Sequence, residues 1–459
     1  SPIIITAGQQ EQGHGLMEPM LYGPLVRMAE PLVKWATEVN RLEDLPRIMR
    51  RAAKIALSPP TGPVFISLPG DILNKEAKID LGKSTRVIDT YRPSHNSIEL
   101  IAKKISKYKK PVIIAGHEVA TSGAFKEITM FAEYTGSAVY QQTVPHGSHY
   151  PSEHMAFMGT LPRLQKPTKN ILENYDLLIC VGCDGLRMSV WSDTEPLPSK
   201  MPIIHIGINE WEIGKNYSTE LAIIGNVKNT LNDINQYLKN TLTPEETLKA
   251  KKRLELIAKN NWNVKKKSLT TKTMHDKLKK PITPNWLMMN IANNITKNNI
   301  VVEEGLVSTR TLLNYLPYKN NKDFYGLASG GIGWAVSGAI GVSLANPSKT
   351  IIAIIGDGSS MYGIQSLWSA AHYKLPIVYI IANNQSYRII KERLEAFHKN
   401  TNFVGMDFNK PKIDFVKLSN SLGIKSETIN NPKNLNSIFK KAFKYKKPYL
   451  LNVMVDKGY

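Results

Sequence analysis

Cysteine is almost absent: among 459 residues only Cys180 and Cys183 occur, which excludes a disulfide framework and makes a reducing cytoplasm the expected compartment. Their CxxC spacing lacks the second ligand pair that a zinc site needs. Residues 177–182 read as a buried strand entering a turn, so packing is the expected role of both thiols. No apolar run is long enough to cross a bilayer, since the stretch 330–345 is short and rich in glycine. The opening Ser1-Pro2-Ile3-Ile4-Ile5-Thr6-Ala7-Gly8 has neither the basic lead nor the cleavage region of a signal peptide. It reads as an interior strand of a domain whose start lies upstream. Acidic residues are also few, 38 against 59 Lys and Arg, a formal net charge of +21. Such a surplus can mean a nucleic-acid or anionic-membrane partner. The lysines, however, are scattered through segments such as Lys265-Lys266-Lys267 and Lys440-Lys441, without aromatic interleaving or a nucleic-acid motif, so neither partner is expected.

What the chain has is an alternation of short β-branched runs ending in glycine with longer helical patterns. That alternation predicts an α/β protein of three doubly wound parallel-sheet domains, the first of them incomplete. Residues 1–78 hold strands at Ile3-Ile4-Ile5 and Val64-Phe65-Ile66-Ser67-Leu68 with a helix between them at 45–57. Residues 94–240 hold strands near 112–116, 138–140, 177–182 and 203–206. The Lys- and Glu-rich segment 241–280 has helical spacing and is expected to be a linker. The last domain, 281–459, opens at Thr283-Pro284, a helix-start signal.

The informative segment is Thr350-Ile351-Ile352-Ala353-Ile354-Ile355-Gly356-Asp357-Gly358-Ser359, a buried strand stopping at a glycine-flanked aspartate. A helical pattern over 361–373 leads to a second buried strand, 376–382, that ends at Asn383-Asn384. In open α/β sheets ligands bind beyond the carboxyl ends of strands, and both polar clusters fall there. Amides near Gly358 and Ser359 at a helix N-terminus favour a phosphate. Asp357 offers a hard anionic oxygen and Asn384 a neutral one, with the Ser386 carbonyl just beyond. That set suits Mg²⁺ whose other ligands are phosphate oxygens and water. Two adjacent glutamates, Glu303 and Glu304, fall at another strand end and read most simply as a solvated edge.

Gly356-Asp357-Gly358 followed after 24 residues by Asn383-Asn384 resembles the GDG…NN signature of thiamine-diphosphate enzymes. Thr6-Ala7-Gly8-Gln9-Gln10, Pro31-Leu32-Val33-Lys34-Trp35, Gly62-Pro63-Val64-Phe65-Ile66-Ser67-Leu68-Pro69 and Gly330-Gly331-Ile332-Gly333-Trp334-Ala335 extend the resemblance. They match the benzoylformate decarboxylase and acetolactate synthase group, with benzoylformate decarboxylase nearest. The resemblance implies a thiamine-diphosphate-binding fold and a lyase that decarboxylates a small 2-oxo acid, with an acetolactate-synthase-like carboligase or an inactive cofactor-binding paralogue as alternatives. It implies Mg²⁺ at Asp357, Asn384 and the Ser386 carbonyl, and diphosphate against Gly356, Gly358, Ser359 and Tyr387. Ile332 would bend the cofactor, and the Gly330 carbonyl would meet its pyrimidine. Met20, Leu21, Leu306 and Ile389 would line an apolar substrate pocket, and Glu304 would stand near the cofactor. The family's catalytic glutamate would lie upstream of Ser1. A homodimer or homotetramer is implied, whereas FAD is not expected, because no GxGxxG follows the first strand of the middle domain. His149, His154 and Ser189 stand near the middle-domain loops of the group, and loop structure is the expected role of both histidines.

Overall fold

The computed structural model describes residues 1–88, 91–189 and 191–458. Its fifteen strands form three all-parallel sheets. β1 (Ile3–Gln9), β2 (Trp35–Glu38) and β3 (Pro63–Pro69) form the first, in the order β1-β3-β2. β2 is a strand that the sequence reading missed: its four residues are all half-buried and form no continuous apolar run. The Leu45–Leu57 helix sets Ala52 and Ala56 against Val64 and Ile66 of β3.

The second sheet contains β4 (Pro111–Ala115), β5 (Ala138–Gln141), β6 (Phe157–Thr160), β7 (Leu177–Val181), β8 (Ile203–Gly207) and β9 (Leu221–Ile224), in the order β6-β5-β4-β7-β8-β9. Every residue of β4, β5, β7 and β8 is buried. Helices cover both faces of such a sheet, so its inner strands read as unbroken apolar runs. One apolar cluster gathers Ile113, Phe131 and Val181, and another on the opposite pleat gathers Val112, Cys180 and Cys183. Both cysteines are buried and free.

In the third sheet β10 (Asn299–Glu304), β11 (Phe324–Gly326), β12 (Thr350–Gly356), β13 (Ile377–Asn383), β14 (Lys425–Ile429) and β15 (Tyr449–Met454) are ordered β11-β10-β12-β13-β15-β14. Again two clusters pack, one on each face. The helix expected over 361–373 is shorter, Ser366–His372. The chain first turns at Gly363, where a Cβ would stand 2.9 Å from the Gly333 carbonyl oxygen.

The charged segment before the third sheet folds into helices Pro244–Ala258 and Trp262–Thr273, the first started by a Thr243/Glu246 capping box. These helices pack against their surroundings. Arg253 Nη2 donates to the Thr135 carbonyl at 2.7 Å, Trp262 Nε1 to the Leu313 carbonyl at 2.9 Å, and the Thr273 and Tyr315 hydroxyls lie 2.6 Å apart. The loop after β5 meets the third sheet directly, through a bridge between Gly147 and Tyr325 and a bond from the Tyr318 amide to Ser152 Oγ. The middle and third sheets are thereby held side by side. No helix among the described residues is long and apolar enough to cross a membrane.

Candidate active site

At the end of β12 the chain passes straight into the short helix Asp357–Ser360. β13 lies alongside with Gly356 opposite Ala382, so Asp357 and Asn384 leave neighbouring strands at the same edge. Both are buried. Asp357 Oδ1 accepts from the Gly358 amide at 2.9 Å, while Oδ2 is buried with no hydrogen-bond partner. Burial pushes this carboxyl up to about 6, opposed by the amides of Gly358, Gln385, Ser386 and Asn384. Asn384 Oδ1 accepts from the Ser386 amide at 2.9 Å. Gln385, between them, has φ +56°, a left-handed backbone that curls this turn toward the carboxylate.

A buried carboxylate oxygen without a donor costs about 1–3 kcal/mol unless a cation or donor meets it. Among the described residues no group of three or more His, Cys, Asp or Glu is assembled for a metal, so no closed protein cage exists here. One carboxylate, one amide oxygen and a backbone carbonyl are instead the donor set of a hard cation that keeps phosphate oxygens and water. The residues fit Mg²⁺ with a diphosphate.

A Cβ on Gly358 would stand 2.8 Å from Tyr387 Cε1, so glycine is what lets the tyrosine ring lie against the Asp357 turn. Phe408 meets Tyr387 edge-on with centroids 4.5 Å apart. Segment 406–408 closes this side through bonds from the Tyr387 amide to the Met406 carbonyl and from the Phe408 amide to the Gln385 carbonyl, both 2.9 Å. Buried Lys391 pairs with Asp407 at 2.8 Å. No sequence signal marks these residues, because the chain returns from some twenty positions away without a motif. Ser359 and Ser386 are buried beside them, and Gly356 is half-buried.

The adjacent glutamates are not a solvated edge. Glu304 is 1% exposed; Oε1 accepts from the Gly333 amide and Oε2 from the Ala335 amide at 2.6 Å. These amides open the Trp334–Ala345 helix, whose N-terminal donors and dipole favour a carboxylate. Glu303 is partly buried and accepts from the Gly305 amide at 2.8 Å and from the Thr309 hydroxyl. Burial pushes both carboxyls up. With both oxygens engaged, Glu304 anchors the turn that carries Ile332.

Gly333 completes that turn with φ +89°, and a Cβ there would also stand 2.6 Å from Tyr362 Cβ. Ile332 is half-buried and belongs to no apolar cluster of the described residues, so it is not a core side chain. Gly330 is exposed, with open space around it.

Leu306, with φ +49°, and Ile389 are half-buried near the same sheet edge. Met20 and Leu21 lie in the first unit, 85% and 87% exposed. No apolar cluster joins these four. His149 is buried against His146, ring centroids 5.6 Å apart, and His154 bonds the Tyr150 hydroxyl at 2.8 Å and Glu133 at 3.2 Å. The Ser189 amide donates to the Arg163 carbonyl.

Comparison with known proteins gives a consistent result. Residues 98–234 match the model of the thiamine pyrophosphate enzyme central domain, and 307–453 that of the C-terminal TPP binding domain. A probable acetolactate synthase large subunit of Methanococcus aeolicus is 29% identical over 452 residues, covering 93% of this chain and 72% of that protein. A benzoylformate decarboxylase of Pseudomonas aeruginosa is 25% identical over 456 residues, covering 99% and 82%. Among solved structures, the thiamine diphosphate-dependent 4-hydroxybenzoylformate decarboxylase of Rhodococcus jostii RHA1 superposes with a TM-score of 0.85 at 25% identity, over 99% of this chain and 82% of that one.

Proposed function

Because the chain belongs to the thiamine pyrophosphate enzymes, we propose that it binds thiamine diphosphate through Mg²⁺ at the carboxyl edge of the third sheet and decarboxylates a small 2-oxo acid without oxidising it. The observation that carries this reading is the buried, unpartnered Asp357 Oδ2 beside Asn384. Asp357, Asn384 and the Ser386 carbonyl bind the metal. Gly356, Gly358, Ser359 and Tyr387 bracket the diphosphate. Glu304 and Gly333 hold the turn from which Ile332 and the Gly330 carbonyl meet the rest of the cofactor. The bound cofactor supplies the sink for the electrons released as CO₂ leaves. Leu306 and Ile389 keep water from the reacting centre, and Met20 and Leu21 of a second copy complete the apolar wall, so the working unit is a homodimer or homotetramer. Exposed apolar side chains on both units support that assembly: Leu16 and Met17 beside Met20, and Leu344 and Trp368 around the Trp334–Ala345 helix.

A carboligase of acetolactate synthase type is the second reading, favoured by the 29% identity to such relatives. Product analysis with thiamine diphosphate and Mg²⁺ separates the two. Benzaldehyde and CO₂ from benzoylformate support decarboxylation. Acetolactate from pyruvate, with benzoylformate untouched, replaces it with the second reading. Cofactor binding without turnover of either acid removes both in favour of a non-catalytic relative.

A further inference from the structure

The amino edge of the third sheet, opposite the candidate site, carries a row of lysines that the sequence disperses between positions 297 and 447. Its strands are parallel and the helices between them run the other way, so connections at this end leave a helix and enter a strand. Lys297 precedes β10, Lys349 precedes β12, Lys374 precedes β13, Lys425 opens β14, and Lys444, Lys446 and Lys447 precede β15. Pairing of Asn299 with Thr350, Ile351 with Ile377, and Val378 and Lys425 with Tyr449 sets these positions side by side. At about 4.8 Å per strand the row from β10 to β14 covers roughly 19 Å.

The lysines face little opposing charge. Segments 295–298, 346–349, 373–376, 422–425 and 444–448 contain no Asp or Glu. Glu427, two residues into β14, accepts from the Tyr449 hydroxyl at 2.7 Å, and Asp323, under the far strand β11, accepts from the Lys319 and Asn320 amides. The ion-paired lysines of the described residues are all others. Five helices end at this edge, at Asn294, Ala345, His372, Ser421 and Ala442. Each presents about half a negative charge, which offsets only about two and a half of the seven lysines. Lys349 Nζ donates to the Lys297 carbonyl at 2.6 Å and Lys446 Nζ to Thr350 Oγ1 at 3.2 Å, which ties two of the cations to the row.

Two aromatic rings interrupt the row, contrary to the expectation that the lysines lack aromatic interleaving. Tyr373, beside Lys374, is 62% exposed, and Tyr445, between Lys444 and Lys446, is 36% exposed. The aliphatic side chains of these connections, Ile295, Leu375, Leu422 and Ile424, are buried or half-buried, which disfavours a bilayer as the partner. Ammonium groups in line with exposed rings suit phosphates and the π-faces of unpaired bases together. Lysine without arginine gives no fork for base edges. We propose that this edge binds single-stranded nucleic acid without sequence preference, independently of the cofactor site.

Fluorescence anisotropy with a labelled oligothymidylate of roughly 12 nucleotides, over a salt series, tests it. Affinity should fall linearly on a log–log plot, by about 0.7 per phosphate neutralised. The triple variant Lys374→Glu, Lys446→Glu, Lys447→Glu should lose at least about ten-fold in affinity. The triple Lys239→Glu, Lys251→Glu, Lys252→Glu, equal in charge change but on exposed helix positions elsewhere, should keep it. Tyr373→Ala with Tyr445→Ala should weaken binding with the salt slope unchanged, a readout that stands even if the edge triple fails to fold. Equal loss in the two charge triples would reduce the effect to net charge and overturn the proposal. So would absence of binding by the unaltered protein, or retention on anionic lipid vesicles with none on the oligonucleotide.

Discussion

On the proposed reading two side chains, Asp357 and Asn384 at the ends of β12 and β13, hold a cation, and the residues around them are closely packed. Gly358 is the tightest case. Alanine would put a methyl 2.8 Å from Tyr387 Cε1, and no rotation of a methyl relieves that. Gly358→Ala should displace the Tyr387 ring and weaken thiamine diphosphate by about ten-fold or more in a titration, while unfolding shifts by only about 1–3 kcal/mol. The glutamates of β10 make a second case. Burial raises both carboxyls, and Glu303 adds to the rise at Glu304. A carboxyl that holds its proton more tightly folded than unfolded removes stability as pH climbs from the ordinary glutamate value upward. Glu303→Gln keeps an acceptor for Gly305 and Thr309 while removing one such group. Thermal melts should find the variant more stable than the parent near about pH 7, with the gap closing below about pH 4.5, where both states are protonated. A constant gap across that range would contradict the assignment.

The helices joining the middle and third sheets are held by buried aromatic contacts. Trp262 is 3% exposed, meets Phe157 at 6.2 Å and bonds the Leu313 carbonyl. Trp262→Ala should cost about 3–5 kcal/mol in chemical denaturation; a loss below about 1 kcal/mol would mean that this helix is not anchored against the middle sheet. The helical spacing of this Lys- and Glu-rich segment was legible, whereas its packing rests on a few buried residues such as Leu254 and Trp262 that the surrounding charge conceals. Strands written as unbroken β-branched or apolar runs were the legible ones, including the largely exposed β1, whereas β15, buried over nearly its whole length, was not read. β4, β7, β12 and β13 are buried along nearly their whole length and announce themselves as apolar runs. β2, β6 and β9, half-buried or alternating at sheet edges, do not. The site divided in the same way. Asp357 and Asn384 each follow the last residue of a strand and were readable from spacing. The capping work of Glu304 and the closing segment 406–408 depend on contacts between distant parts of the chain, which no local pattern records.

For the whole chain, the distribution of apolar side chains matters more than their number. Met20 and Leu21 stand exposed in the first unit, while Leu306 and Ile389 wait at the third sheet. On the proposed reading a second copy completes the pocket, and sedimentation velocity with thiamine diphosphate and Mg²⁺ should report a dimer or tetramer. A cofactor-loaded, active monomer would contradict this. Net charge likewise acquires meaning only in three dimensions, since lysines that look dispersed along the chain share one end of a sheet.

Most depends on Asp357. Calorimetric titration of thiamine diphosphate into the protein with Mg²⁺, repeated with Asp357→Ala, tests it directly. Binding that requires the metal and vanishes in the variant is the expected result. Undiminished affinity in Asp357→Ala would mean that the buried oxygen at the end of β12 holds no cation.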